Sequence, residues 1–205
     1  LEEFVMRKGK RLAACSTLLV YKGYTGEVDE RILNVCVGVE LYRHSILVHD
    51  DLVDMDNTRR GGKTLHKKFT DTYSPFDPRF GDGFAVFTGN IAYSLAVKAI
   101  IDSGFPEDVI NKVLRLTFEG YRDVNESQIL DVRFEQKDVS TEEWTVMASK
   151  RAATLFKATL LTGAILADAP EEDMKLLTES AEHMGFSFDI QDDIIDSFAK
   201  KEEYG

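Results

Sequence analysis

Apolar residues in this 205-residue chain recur at three- to four-residue spacing through most windows, and only four prolines interrupt them. That period belongs to helices that bury one face, not to strands. Helices are expected over 11–24, 84–103, 107–135, 141–167 and 171–198. Another opens at Asp29, a residue suited to cap it, and runs through Val37, Leu41 and Val48. Pro106 and Pro170 stand at helix starts, where a missing N–H is harmless. Segment 70–82, with Pro75, Pro78 and Gly81, reads as a loop. The pattern implies an all-α fold, a single bundle of long helices, and such bundles build their sites between facing helices.

Two of these apolar runs end in the same acidic pattern, D-D-x-x-D: Asp50-Asp51-Leu52-Val53-Asp54 and Asp192-Asp193-Ile194-Ile195-Asp196. On a helix, positions i, i+1 and i+4 lie toward one side, so each cluster is expected to present three carboxylates together. Carboxylates so gathered repel unless a multivalent cation lies between them. Mg²⁺ carrying phosphate oxygens is the common answer. Arg59-Arg60-Gly61-Gly62 follows the first cluster closely. Adjacent guanidinium groups suit phosphate, which they bind through two parallel hydrogen bonds.

A net charge of −11 argues against nonspecific nucleic-acid binding. The length and 43% hydrophobic content support one domain with a large core. Cys15 and Cys36, in apolar helical patterns, read as buried thiols of a reducing compartment. No uninterrupted apolar run is seen to reach membrane-spanning length, and no signal-peptide pattern opens the chain, so a cytoplasmic protein is expected.

Taken together the motifs resemble those of the trans-prenyl diphosphate synthases, the polyprenyl synthetase family. The stretch from Tyr42 to His66 is similar to the family's first aspartate-rich region, and Gly185 to Asp196 to its second. Lys8-Gly9-Lys10-Arg11 resembles the Gly-Lys-Arg element, and Ser127-Gln128-Ile129-Leu130-Asp131 the mid-chain Gln-x-x-Asp element. Order and spacing agree over essentially the whole chain. By comparison with the family both ends of 1–205 look incomplete, with Gly205 standing where a Gly-Lys pair would begin.

The resemblance implies an isoprenoid-synthase bundle around a central cavity. It implies a transferase that joins isopentenyl diphosphate to an allylic diphosphate, head to tail, giving a linear trans-polyprenyl diphosphate. Asp50, Asp51, Asp54, Asp192, Asp193 and Asp196 would hold Mg²⁺, with Mn²⁺ as a substitute, and Asp50, Asp54 and Asp192 would be the nearest ligands. Arg59 would take the allylic diphosphate and Arg60 the isopentenyl diphosphate, whose metal-free site Lys10, Arg11 and His44 complete. Gln128 and Asp131 would lie near the carbocation. His49 and His66 read as structural. The family is usually dimeric through a helix near 84–103, so a homodimer is expected.

Several positions depart from the family pattern. Its Lys-Thr pair is Arg151-Ala152, its glutamine after the second motif's phenylalanine is Asp189, and its R-R-G-x-P-T proline is Lys63. Its Gly-Asp pair is Gly89-Asn90, and Ala13 replaces the third basic residue of the Gly-Lys-Arg element. Arg151 keeps a phosphate-binding charge, whereas Asp189 adds a negative one. Product length has its own ruler, since one isoprene unit spans about one 5.4 Å helical turn. Ser45 and Ile46 stand one turn below Asp50, and Tyr42 two turns below, where it is expected to floor the tunnel at four or five units, C20 favoured over C25 or longer. The rival readings are a class I terpene cyclase and a noncatalytic or partner-dependent synthase subunit. The second D-D-x-x-D with Lys10-Arg11 opposes the first, and the survival of both clusters opposes the other.

Overall fold

A computed structural model describes residues 1–73, 77 and 79–198, with the backbone alone at Asp196. The expectations placed on Pro75, Pro78, Gly205 and the Asp196 side chain lie outside the described residues. The elements run α1 (Glu2–Val5), α2 (Leu12–Thr25), α3 (Glu30–Val53), β1 (Thr58–Arg59), β2 (Gly62–Lys63), α4 (Leu65–Tyr73), α5 (Phe80–Ile101), α6 (Glu107–Phe134), α7 (Thr141–Lys150), α8 (Ala152–Leu166) and α9 (Glu171–Phe198). The fold is all-α, as expected. Two compact units emerge, 1–18 with 27–110 and 19–26 with 111–205.

In the first unit, α3 packs along α5, and α4 packs on both. Asp29 caps α3 as expected, its carboxylate accepting from the Ile32 N–H at 3.0 Å. Phe4, Leu47, Val48, Leu65 and Ala85 form one buried cluster, with Leu52 and Phe69 packed against it. Each fully buried Val, Leu or Phe side chain contributes about 1.5–3 kcal/mol. Two helices extend into the expected 70–82 loop, and aromatic packing is the reason. Phe69, Tyr73 and Phe80 all lie against Phe84, with ring centroids 5.2–5.8 Å away. The short β1–β2 hairpin was not anticipated. Thr58 pairs with Lys63 and Arg59 with Gly62, leaving Arg60 and Gly61 as a two-residue turn. Both have positive φ, +52° and +76°, as a type I′ turn demands.

In the second unit, α8 is buried almost throughout and packs on α9, with α7 against both. The expected helix over 141–167 is broken at Arg151, whose φ and ψ are −92° and −99°. No proline or glycine marks that break, so local propensity carried no sign of it. Ser140 and Glu143 form a capping box at the start of α7. Lys150, ending α7, pairs with Glu126 of α6 at 2.5 Å.

Two further expectations need correction. Cys36 is buried, but Cys15 is exposed, because α2 is apolar on several faces and its pattern does not select an inner one. Both thiols are free, and burial pushes that of Cys36 up to about 11. Helix α5 is long and apolar enough to cross a membrane by length and composition, with a mean hydropathy of 1.5 over its best window. Asn90 and Ser94 interrupt the run without lowering that mean below the spanning range. Its small residues Ala85, Gly89, Ala92 and Ala96 are buried, whereas Phe80, Phe84, Phe87, Ile91 and Leu95 are exposed.

Candidate active site

The first aspartate cluster lies on the last turn of α3, but its three carboxylates do not converge. Successive residues on a helix are turned by about 100°, and here that turn puts Asp51 inside. Asp50 is half-buried and Asp54, the C-cap, is exposed. The Arg59 guanidinium bonds Asp51 directly through Nε, and its Nη2 lies 3.4 Å from Asp50 and 3.5 Å from Asp56. The other Asp51 oxygen, Oδ2, is buried with no hydrogen-bond partner. Burial raises the Asp51 carboxyl to about 6 in spite of Arg59. Burial alone would weaken the Arg59 cation, but Asp51, Asp50 and Asp56 together raise its pKa. Arg59 is thus the counter-ion of the cluster.

One and a half turns before Asp50, a basic group gathers on the same helix. His44 is fully buried. Its Nδ1 lies 2.7 Å from the Glu40 carbonyl, which only accepts, so Nδ1 carries the proton. Its Nε2 then accepts from Arg60 Nη1 at 3.0 Å and from Arg11 Nη1 at 3.2 Å. Burial lowers the His44 pKa, consistent with a neutral ring. Arg11 also donates to Glu40 Oε2 at 3.1 Å and to the carbonyls of Val5 and Arg7, each at 2.6 Å. Arg11 and Arg60 both adopt φ of +52°, a left-handed backbone that is uncommon for such residues and is found where surrounding contacts over-determine it.

Two glycines make this packing feasible. A Cβ on Gly9 would meet Arg60 Cζ at 2.7 Å, and one on Gly62 would meet Arg7 Cζ at 2.6 Å. Each glycine of the two motifs therefore cradles an arginine from the other end of the site. Arg7 and Glu40 were missed by sequence reasoning. Glu40 had a signal, standing one turn before His44, whereas nothing marked Arg7. Half-buried Arg43 was missed too; burial lowers its pKa, and the charge of Asp50, two turns along α3, opposes that. Lys10 is exposed, outside this network.

Beneath these groups Tyr42, Ser45 and Ile46 are all buried. The Tyr42 ring tilts against Tyr93 of α5, 6.2 Å away, and the Ser45 hydroxyl donates to the Tyr42 carbonyl at 2.7 Å. His49 contacts the Val86 carbonyl of α5 at 3.2 Å, and His66 is buried, in keeping with structural roles.

In the second unit, Arg151 at the α7–α8 junction gathers the acidic groups. Its Nε donates to Asp189 Oδ1 at 3.1 Å, and its Nη1 and Nη2 lie 3.6 Å from Asp131 and 3.7 Å from Asp193. The other Asp189 oxygen, Oδ2, is buried with no hydrogen-bond partner. Burial raises the Asp189 carboxyl, with Arg151 opposing it. The indole N–H of Trp144 donates to Asp193 Oδ2 at 3.2 Å. Asp192 and Asp193 are exposed, and Gln128 is half-buried on α6. Trp144, the lone tryptophan, was not singled out from sequence. Gly185 explains the close approach, since a Cβ there would fall 2.2 Å from the Ala153 backbone.

Among the described residues no group of three His, Cys, Asp or Glu side chains is placed to hold a metal ion by itself. The donor set still suits Mg²⁺. Asp50 and Asp54 offer hard oxygens one turn apart at a solvent-accessible helix end. Mg²⁺ keeps waters and binds through one or two carboxylates plus substrate phosphates, not in an all-protein cage.

Comparison with known proteins agrees with these motifs. The chain is 30% identical over 198 residues to the short chain isoprenyl diphosphate synthase of Methanocaldococcus jannaschii, covering 96% of this chain and 56% of the relative. It is 33% identical over 204 residues to the farnesyl diphosphate synthase of Bacillus subtilis, covering 96% and 65%. The crystal structure of geranylgeranyl pyrophosphate synthetase from Pyrococcus horikoshii superposes with a TM-score of 0.81 at 30% identity, over 95% of this chain and 56% of that one. The chain thus spans less than two thirds of the length of these relatives. The family profile described as polyprenyl synthetase matches residues 1–205 from end to end, and with both aspartate motifs and the Arg11–His44–Arg60 cluster in place the chain belongs to that family.

Proposed function

We propose that the protein is a prenyltransferase that condenses isopentenyl diphosphate with an allylic diphosphate to give a linear polyprenyl diphosphate. One observation carries the reading: α3 bears an acidic cluster at its end and, next to it, a cluster around His44 in which two arginines outnumber the single carboxylate of Glu40. Two diphosphates that must be held differently, one through cations and one through guanidinium groups, find different chemistry on one helix.

In this reading Arg11, held by His44 and Glu40, and Arg60, held by His44, bind the isopentenyl diphosphate and orient its double bond. Asp50 and Asp54 at the end of α3, and Asp192 and Asp193 on α9, would each offer carboxylates to Mg²⁺, for which Mn²⁺ would substitute. When bound, Mg²⁺ supplies electrostatic stabilisation of the negative charge that grows on the leaving diphosphate. The allylic carbon–oxygen bond breaks with its electron pair on oxygen. The double bond of isopentenyl diphosphate then forms the new carbon–carbon bond, and the departing diphosphate accepts the proton that is lost. Arg59 keeps Asp50 and Asp51 paired before substrate arrives.

The product is proposed to be C20, supported by Tyr42, whose buried ring lies against Tyr93 of α5, two turns before Asp50. A homodimer is proposed through the exposed apolar face of α5, Phe80, Phe84, Phe87, Ile91 and Leu95. A cytoplasmic location is supported by the sparing use of cysteine. The test is incubation of the full-length protein with Mg²⁺, isopentenyl diphosphate and dimethylallyl, geranyl or farnesyl diphosphate, with products dephosphorylated and sized. A linear alcohol establishes the reading. Consumption of allylic diphosphate without condensation rejects it in favour of a cyclase, and inactivity with every primer rejects it in favour of a partner-dependent subunit.

A further inference from the structure

Two departures from the family pattern, 38 positions apart in sequence, meet in one ion pair: Arg151 where the family has lysine, and Asp189 where it has glutamine. Asp189 therefore does not add a free negative charge to the second aspartate motif. It accepts from Arg151 Nε at 3.1 Å, so the side chain at the α7–α8 junction is tied to α9. The tie is short-range and built, since Gly185, one turn earlier on α9, lets the two backbones touch.

The geometry divides the Arg151 guanidinium unequally. Asp189 takes Nε at hydrogen-bond distance and is 5% exposed, whereas Asp131 and Asp193 lie at 3.6 and 3.7 Å and are 41% and 51% exposed. Bonds of a buried charge pair are held more firmly than those of solvated carboxylates. We propose that Asp189 is a positioning residue that holds Arg151 back from Asp193 Oδ1, leaving that oxygen, the one Trp144 does not bond, available to a divalent cation and its diphosphate. With Asp189 neutral, the guanidinium loses its firmest partner and settles on Asp193, and the cation must displace it.

The inference rests on the synthase reading for its biological meaning but not for its test. The measurement is calorimetric titration of the full-length protein with Mg²⁺ in the presence of inorganic diphosphate, which needs no turnover. Asp189→Asn is expected to raise the half-saturating Mg²⁺ by roughly three- to tenfold, the scale of one partly solvated charge contact. Asp189→Glu, which keeps the carboxylate, is expected to recover most of the loss. Arg151→Gln in the Asp189→Asn background is expected to bring the Mg²⁺ requirement back down, because the competitor for Asp193 has gone. A merely structural role predicts a lower melting temperature without this rescue.

Should Asp189→Asn fail to fold, Asp189→Gln, which also removes the charge, decides. A raised Mg²⁺ requirement supports the proposal, and an unchanged or reduced one overturns it. An Asp189→Asn protein that folds and binds Mg²⁺ as before also overturns it. Absence of condensation with the coupling intact would reject the synthase reading alone, and condensation without the coupling would reject the role of Asp189 alone.

Discussion

Arg11 and Arg60 donate to the same atom, Nε2 of buried His44, at 3.2 and 3.0 Å, and each does so from a left-handed backbone. Two cations held on one neutral imidazole make sense only if the ring never protonates under working conditions. Burial, with the charges of Arg60 and Arg11, opposes protonation, while the Glu40 carbonyl fixes the one proton on Nδ1 and turns the lone pair of Nε2 to the arginines.

This arrangement ties stability to pH. The pKa of His44 is lowered from its ordinary 6.5, chiefly by burial. The unfolded chain then binds more protons than the folded one as pH falls below 6.5, so stability is present above that value and lost beneath it. The loss per pH unit is at most about 1.4 kcal/mol. Melting temperatures should fall as pH drops below about 6.5 in the native protein and less steeply in His44→Gln, in keeping with that linkage. Equal slopes would show that His44 is not the group.

Gly9→Ala probes the cradle without touching a charge. The added methyl meets Arg60 Cζ at 2.7 Å, and a flexible side chain yields sooner than backbone. Arg60 should leave His44, weakening inorganic diphosphate binding by about tenfold, the scale of one charge-assisted contact, with little change in melting temperature. Unchanged binding would mean that Arg60 reaches the anion from another pose.

Gly185→Ala should behave in the opposite way. Its methyl meets Ala153 backbone atoms at 2.2 Å, and neither helix has a side chain that can move aside. Overpacking of this kind costs about 1–3 kcal/mol or more. A drop in melting temperature should appear with α8–α9 amides losing hydrogen-exchange protection first, and a stable variant would mean that the two helices separate at little cost.

Tyr42→Ala tests the product floor. The substitution leaves a cavity against Tyr93 and costs about 3 kcal/mol, so folding must be checked alongside product length. The main alcohol should lengthen by at least one isoprene unit. A folded variant with the same product would move the floor elsewhere.

Phe87→Lys addresses assembly. Phe87 is 67% exposed on the apolar face of α5, so the change should leave the fold intact. Sedimentation should show a shift from dimer to monomer; a dimer that persists would place the interface on another surface.

The helical period, the Asp29 cap and the starts after Pro106 and Pro170 were legible because they depend on spacing and local backbone chemistry alone. The aspartates, arginines and His44 were legible as a resemblance because residue type and order carry it. Their partners were not. Asp51 turns inward, Arg59 spans three carboxylates, and Arg151 meets Asp189, since each pairing joins segments that touch only after helices pack. The Arg151 break and the reach of α4 and α5 into the expected loop follow the same rule. A helix boundary set by an ion pair or by Phe84 collecting three rings has no local signature. The sequence by itself determined the helices and the inventory of charged groups. Tertiary structure decided which charge neutralises which, because Coulomb energy depends on distances and burial that chain packing alone sets.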